Sequence, residues 1–244
     1  MERPSLLLTA RNYWSERARR SGRFDATRDL AILLWEFVLD SRPSRLKTRF
    51  GDAEYDWDFR VNTTSGAVGW RDRLLGAFHS PYQPTDPAVF REMLDMLRGH
   101  AHLNLAQFTF IDLGSGKGRA LLMASDYPFR RIVGVELLPN LNAIAQQNLA
   151  AYRSGSQQCF ALESICADAT TYRFPDGPLL IYLFNPFPES GLRRAMENLR
   201  QNLHEDPRAV YLLYHNPQLE PVLNESVCFT RIAGTHQYSI FTAA

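Results

Sequence analysis

Cysteine is scarce in this sequence. The 244 residues contain three, Cys159, Cys166 and Cys228, an odd number with no C-x-x-C pair. That argues against a disulfide framework or a structural zinc site and predicts small buried hydrophobes in a reducing, cytoplasmic setting. Long apolar runs are also missing. The longest, AILLW-E-FVL over residues 31–39, is interrupted by Glu36 and falls far short of the ~20 residues of a membrane span. The opening MERPSLLLTARN has three leucines in a row and no small-residue cleavage site, so no secretory signal is expected. His100, His102, His204 and His236 lack ligand spacing to Cys or acids, and no metal is predicted. Lysine is nearly absent, with only Lys47 and Lys117 among 27 basic residues. The composition gives no physical reason for that bias.

What remains is a soluble globular profile, 45% apolar and 22% charged, of a length suited to one full α/β domain with an extension. Charge is uneven. Residues 1–50 hold 11 Arg/Lys against 6 Asp/Glu, whereas residues 51–244 hold 16 against 20. The basic start reads as a solvated Arg-rich helical extension, with an acidic or nucleic-acid partner as the rarer meaning.

Residues 4–40 read as mainly helical, in two blocks separated by Gly22. Residues 50–80 lack periodicity and read as ordered but irregular. PYQPTDP (81–87) is a rigid loop in which Asp86 caps a helix with Pro87 at its first position. From residue 107 short, continuously apolar strands alternate with helices, which predicts βαβ units around a parallel sheet. CFTRIAG and HQYSIFTA, joined by a short THQ turn, should close the chain as an antiparallel pair. The division expected is a mostly helical cap and substrate region over 1–85 and an α/β domain over 86–244.

The chemistry gathers around FIDLGSGKGR (110–119), a strand running into a loop with Gly114, Gly116 and Gly118 and then a helix. Such loops bring bare backbone N–H groups to a ligand at the carboxyl ends of parallel strands. The spacing is neither G-x-G-x-x-G nor G-K-[ST], so neither a dinucleotide nor a phosphate loop is indicated. Asp112 in front of the glycines repels a pyrophosphate and suits a cationic ligand such as an ammonium or sulfonium. Glu136 ends the next strand, placed for ribose hydroxyls. Asp168 in CADAT, the end of the third, is placed for an adenine amino group, with the backbone N–H of Ala169 for the ring. Lys117, a cation amid these acids, is expected to point into solvent.

Taken together, these stretches resemble the class I S-adenosylmethionine-dependent methyltransferases over residues 107–244. FIDLGSGKGRALL is similar to that family's first motif, VGVE to its second, CADAT to its third and LFNPFPE to its fourth. The resemblance implies a Rossmann-like α/β sheet of order 3-2-1-4-5-7-6, last strand antiparallel. It also implies S-adenosylmethionine as cofactor, S-adenosylhomocysteine as product, and no metal. Asp112 and the backbone of Gly114, Ser115 and Gly116 would hold the methionyl part, Glu136 the ribose with Leu137 against the adenine, and Asp168 and Ala169 the adenine edge.

Asn185-Pro186-Phe187 resembles the Asn-Pro-Pro-Tyr/Phe motif of amino-group methyltransferases and also the non-SET lysine methyltransferases. Asn185 and Pro186 would accept hydrogen bonds from an amino group, aiming its lone pair at the methyl carbon, and Phe187 would stack on the acceptor. The second proline is missing, which displaces the aromatic by one position and weakens a nucleobase reading. His215 is a candidate base, and Tyr82, in the Pro-rich loop with His79 just before it, a candidate for closing the methionyl end. The expected function is methylation of an amino nitrogen on a protein side chain or small molecule. The alternatives are O-methylation of a small molecule, with His215 as base, and a non-catalytic nucleic-acid-binding module that retains the pocket. An NAD-dependent oxidoreductase is disfavoured by Asp112 and by the terminal strand pair.

Overall fold

A computed structural model describes residues 6–40, 53–64, 84–226 and 228–243. Helices α1 (Leu6–Ser21) and α2 (Arg23–Asp40) meet at Gly22, whose φ of +88° is the left-handed conformation glycine adopts at little cost. They pack on each other, tied by Trp14 Nε1 donating to Thr27 Oγ1 at 3.1 Å and by an Arg17–Asp29 ion pair at 3.1 Å. Ser190 Oγ donates to Glu16 Oε2 at 2.9 Å and links this hairpin to the α/β domain. Several of its large apolar residues face outward, Leu7, Phe24 and Trp35 among them.

The irregular reading of residues 50–80 is corrected at its start, where α3 (Ala53–Phe59) is helical. Apolar periodicity misses it because polar contacts fix its end. Asp56 accepts from the backbone N–H of Thr63 and Thr64, at 2.7 and 2.8 Å, and Tyr55 and Phe59 pack one turn apart with ring centroids at 4.8 Å. Helix α4 (Pro87–His100) begins as expected, with Asp86 Oδ1 accepting from Ala88 N at 2.7 Å and Pro87 in the first turn.

The sheet follows. Strands β1 (Thr109–Leu113), β2 (Arg131–Glu136), β3 (Leu162–Cys166), β4 (Leu179–Phe184), β5 (Val210–His215), β6 (Phe229–Gly234) and β7 (Tyr238–Ala243) order as β3-β2-β1-β4-β5-β7-β6. Strand β7 runs antiparallel to both neighbours, and the remaining pairs are parallel. Between them lie α5 (Arg119–Ala124), α6 (Pro139–Ala151), α7 (Glu189–Glu205) and the single turn α8 (Glu220–Asn224).

Successive side chains alternate faces, so both faces of the central strands are buried. One carries Ile111, Val133, Ile181 and Leu212 against Leu192, Ala195, Met196 and Leu199, a helical stripe of α7. The other carries Phe110, Ile132, Leu180 and Leu213 against Phe90, Met93, Leu94 and Leu97 of α4. Each such side chain contributes about 1.5–3 kcal/mol on burial. With β1 between β2 and β4, the chain reverses sheet direction beside β1, and a crevice opens at the carboxyl ends of β1 and β4. Among the described residues no helix is long and apolar enough to cross a membrane.

Candidate active site

The glycine loop leaves β1 and turns at once into α5. Gly114, Gly116 and Gly118 all have positive φ, +83°, +56° and +85°. A β-carbon on Gly118 would stand 3.3 Å from Ala145 Cβ, so α5 begins pressed against α6. Asp112, the second-last residue of β1, is buried, and among the described residues no hydrogen bond or ion pair reaches its carboxylate. Burial, with Glu136 nearby, raises its pKa well above the usual carboxylate range.

Glu136 ends β2, also buried. Its two oxygens accept from Gly116 N at 2.8 Å and Leu138 N at 2.7 Å, so the acid shapes the loop as well as facing the crevice. Leu137 beside it is 37% exposed and free to cover a flat ligand. Ser115 is buried with Oγ unpartnered, tucked under the loop where a β-carbon on Gly134 would lie 2.6 Å away.

Asp168 lies two residues beyond the end of β3. It is exposed, and its Oδ1 accepts from Thr170 N at 2.8 Å, a local turn bond. Ala169 is buried against the core.

The fourth stretch follows β4. Asn185 has φ +46°, unusual for a side chain that is not glycine, and Tyr214 Oη donates to its Oδ1 at 3.0 Å. Pro186 lies on the glycine loop, 2.4 Å from the position of a β-carbon on Gly114. Phe187 is half-buried against the α7 face of the core. Asp112, Gly114, Gly116, Glu136, Asn185 and Pro186 thus converge at one end of the sheet.

His215 ends β5 opposite Phe184 of β4, and the two rings stack with centroids 3.9 Å apart. Its Nδ1 is 2.9 Å from Tyr182 Oη, which is 2.8 Å from Thr85 Oγ1. Burial lowers its pKa to about 4, against a smaller opposing pull from Asp86, so the ring is neutral at pH 7. Tyr82 and His79 lie outside the described residues.

Lys117 overturns its expectation. Its side chain is fully buried, with Nζ donating to Asn62 Oδ1 at 3.0 Å and to Thr64 O at 2.5 Å. Desolvation lowers its pKa to about 8. Its partners are in the loop that follows α3 rather than solvent, and sequence reading missed them because they lie more than 50 residues away. Arg119 does likewise, donating to Thr63 Oγ1 at 2.6 Å and to Asp56 Oδ1 at 3.2 Å beneath the Tyr55 ring. The one available signal was that Lys117 is a rare lysine in an arginine-rich chain. Among the described residues no cluster of three or more His, Cys, Asp or Glu is arranged for a metal ion.

No protein-family model matches the chain, and no curated protein sequence matches it. Solved structures do. The glycopeptide N-methyltransferase MtfA is 13% identical, with a TM-score of 0.49 over 66% of this chain and 90% of that one. The magnesium protoporphyrin IX methyltransferase (ChlM) from Synechocystis PCC 6803 is 14% identical, with a TM-score of 0.46 over 82% and 95%. The ribosomal protein L11 methylase from Lactobacillus delbrueckii subsp. bulgaricus is 13% identical, with a TM-score of 0.43 over 64% and 78%. Seven strands in the order β3-β2-β1-β4-β5-β7-β6, with β7 alone reversed, give this chain the Rossmann-like methyltransferase fold.

Proposed function

We propose that this protein is an S-adenosylmethionine-dependent methyltransferase acting on an amino nitrogen. The observation that carries the reading is Asp112, a buried carboxylate with no cationic partner among the described residues, beside a glycine loop at the carboxyl ends of the strands. A buried charge in that state is costly and calls for a cation. The ammonium of the cofactor's methionyl part is such a cation, and the Gly114–Gly116 backbone would take its carboxylate. Glu136 has further lone pairs for ribose hydroxyls, and Leu137 an exposed side chain for the adenine. Asp168 and Ala169 would read the adenine edge, which requires the Asp168 turn bond to share its acceptor.

The cofactor supplies an activated methyl on a sulfonium, so the chain's task is positioning and exclusion of water. Asn185 would orient the amino group with Oδ1, held in place by Tyr214, and the Pro186 carbonyl would accept from it. Phe187 would flank the acceptor. Tyr82 is proposed to close the methionyl end. The acceptor proposed is a protein side chain or a small molecule. Isothermal titration with S-adenosylhomocysteine and with NAD tests the cofactor. Micromolar binding of the first and none of the second is expected, and the reverse result would overturn the reading. Tritiated methyl transfer into a fractionated lysate then assigns the acceptor.

One observation favours O-methylation as a second reading. His215 is neutral and anchored at Nδ1, as a base for a hydroxyl must be. A rate that rises with pH and collapses in His215→Gln favours the hydroxyl; a rate insensitive to this substitution favours the amine.

A further inference from the structure

Resting on the cofactor reading, we propose that Lys117 is a positioning residue. Through Asn62 and Thr64 it ties residues 53–64 to the glycine loop, so that docking of this segment and binding of ligand at the loop stabilise each other. The tie has several strands. Lys117 Nζ reaches Asn62 Oδ1 and Thr64 O. From α6, Asn148 Nδ2 donates to Lys117 O at 2.9 Å and to Asn62 O at 3.0 Å, while its Oδ1 accepts from Asn62 N at 2.8 Å. Arg119, the first residue of α5, holds Thr63 and Asp56. The backbones of residues 62–64 and 117 are therefore fixed to one another by side chains from both sides.

Lys117 also sits between the two residues that shape the loop. Gly116 before it gives its N–H to Glu136, and Gly118 after it is pressed on Ala145. A shift of Lys117 therefore moves the amide that Glu136 holds. A leucine or methionine would fill the same space without desolvating a charge. Buried charges in such settings are best attested as devices of register. Coupling between the two segments is reciprocal by thermodynamic necessity, so ligand at the loop must strengthen the docking by the factor that docking strengthens the ligand.

The test is amide hydrogen exchange of the full chain, wild type, Lys117→Met and Asn62→Ala, with and without S-adenosylhomocysteine as probe. Asn62 is exposed, so its substitution spares the core if Lys117→Met fails to fold. In the wild type the probe should slow exchange in both 112–118 and 53–64. In the variants β4 and β5 should stay protected while both segments exchange at least tenfold faster. Probe affinity should fall at least fivefold, and the probe should no longer protect 53–64. Lys117→Arg should restore part of that protection. The proposal is overturned if the probe protects 112–118 but not 53–64 in the wild type, or if the variants free 53–64 and leave 112–118 unchanged. Should the probe not bind, the cofactor reading fails by itself. The ligand-free comparison then decides the tie: loosening of both segments upholds it and loosening of 53–64 alone refutes it.

Discussion

A β-carbon on Gly114 would lie 2.4 Å from Cβ of Pro186, closer than two carbons approach without bonding. These residues stand 72 positions apart in sequence, yet the loop after β1 and the turn after β4 touch there. Gly114→Ala meets this clash and also a φ of +83°, which an L side chain resists. A loss of about 2–4 kcal/mol in denaturant unfolding is expected from strain and overpacking together. Affinity for S-adenosylhomocysteine should fall more than tenfold by titration. Unchanged affinity would show that the loop and the Pro186 turn move independently.

Asp112 should show stability and binding in opposition. Its carboxyl is held above its ordinary pKa by burial and by Glu136. The folded protein therefore keeps the proton longer than the unfolded chain does. This site's contribution is present below the unfolded pKa and is lost as pH rises through the folded one. As pH rises through the folded value, the ligand-free protein must carry an unfavourable buried charge there. Asp112→Asn should raise stability by about 1 kcal/mol or more in denaturant titration, from relief of a buried charge, while abolishing binding of S-adenosylhomocysteine. A variant both less stable and fully able to bind would count against the assigned role.

His215 predicts an acid-side loss of stability. Its folded pKa is about 4 against an ordinary value of 6.5. Between these values the unfolded chain takes up a proton that the folded ring refuses, so stability falls as pH drops from 6.5 toward 4. Among the described residues, the groups that face it are Tyr182, whose Oη also meets Thr85 Oγ1, and Phe184, with Asp86 nearby as an opposing charge. The shift corresponds to on the order of 3 kcal/mol across that window. Guanidinium unfolding at pH 6.5 and pH 4.5, compared between wild type and His215→Gln, measures it. The variant should lose most of the slope.

Tyr214→Phe should separate positioning from cofactor affinity. The substitution removes the donor to Asn185 Oδ1 and the acceptor for Leu219 N. Asn185 then keeps its place only by its strained backbone. Affinity for S-adenosylhomocysteine should stay within about twofold and methyl incorporation into lysate acceptor should fall about tenfold, the scale of one orienting hydrogen bond. Equal loss in both would assign Tyr214 to general structure.

Much of the α/β half could be read from residue pattern alone. Apolar runs such as LLIYLF and YLLY, spaced by helices, dictate buried parallel strands, and the short connection before Tyr238 leaves no room for a crossover helix. Asp112, one residue short of the end of β1, and Glu136, the last residue of β2, could be read as lying at the carboxyl ends of neighbouring strands. The environment of Lys117 was hidden because residue type fixes neither exposure nor partner when the partner arrives from another part of the chain. Helix α3 was hidden for the same reason. Its stability comes from Asp56, Arg119 and Tyr152, not from an apolar stripe. The turn at Asp168 shows the reverse case, in which a side chain suited to a ligand is used locally.

The polar seam between residues 53–64 and the loop also bears on how such a protein can change over generations. Lys117, Arg119 and Asn148 are buried, and their hydrogen bonds end on the N-terminal segment. A recombination that replaced this segment while keeping the sheet domain would strand three polar side chains in the interior, each at a cost of a few kcal/mol. The segment and the loop are thus constrained to be inherited together, and an exchange of acceptor specificity by swapping the N-terminal region would have to carry Asp56, Asn62 and Thr63 with it.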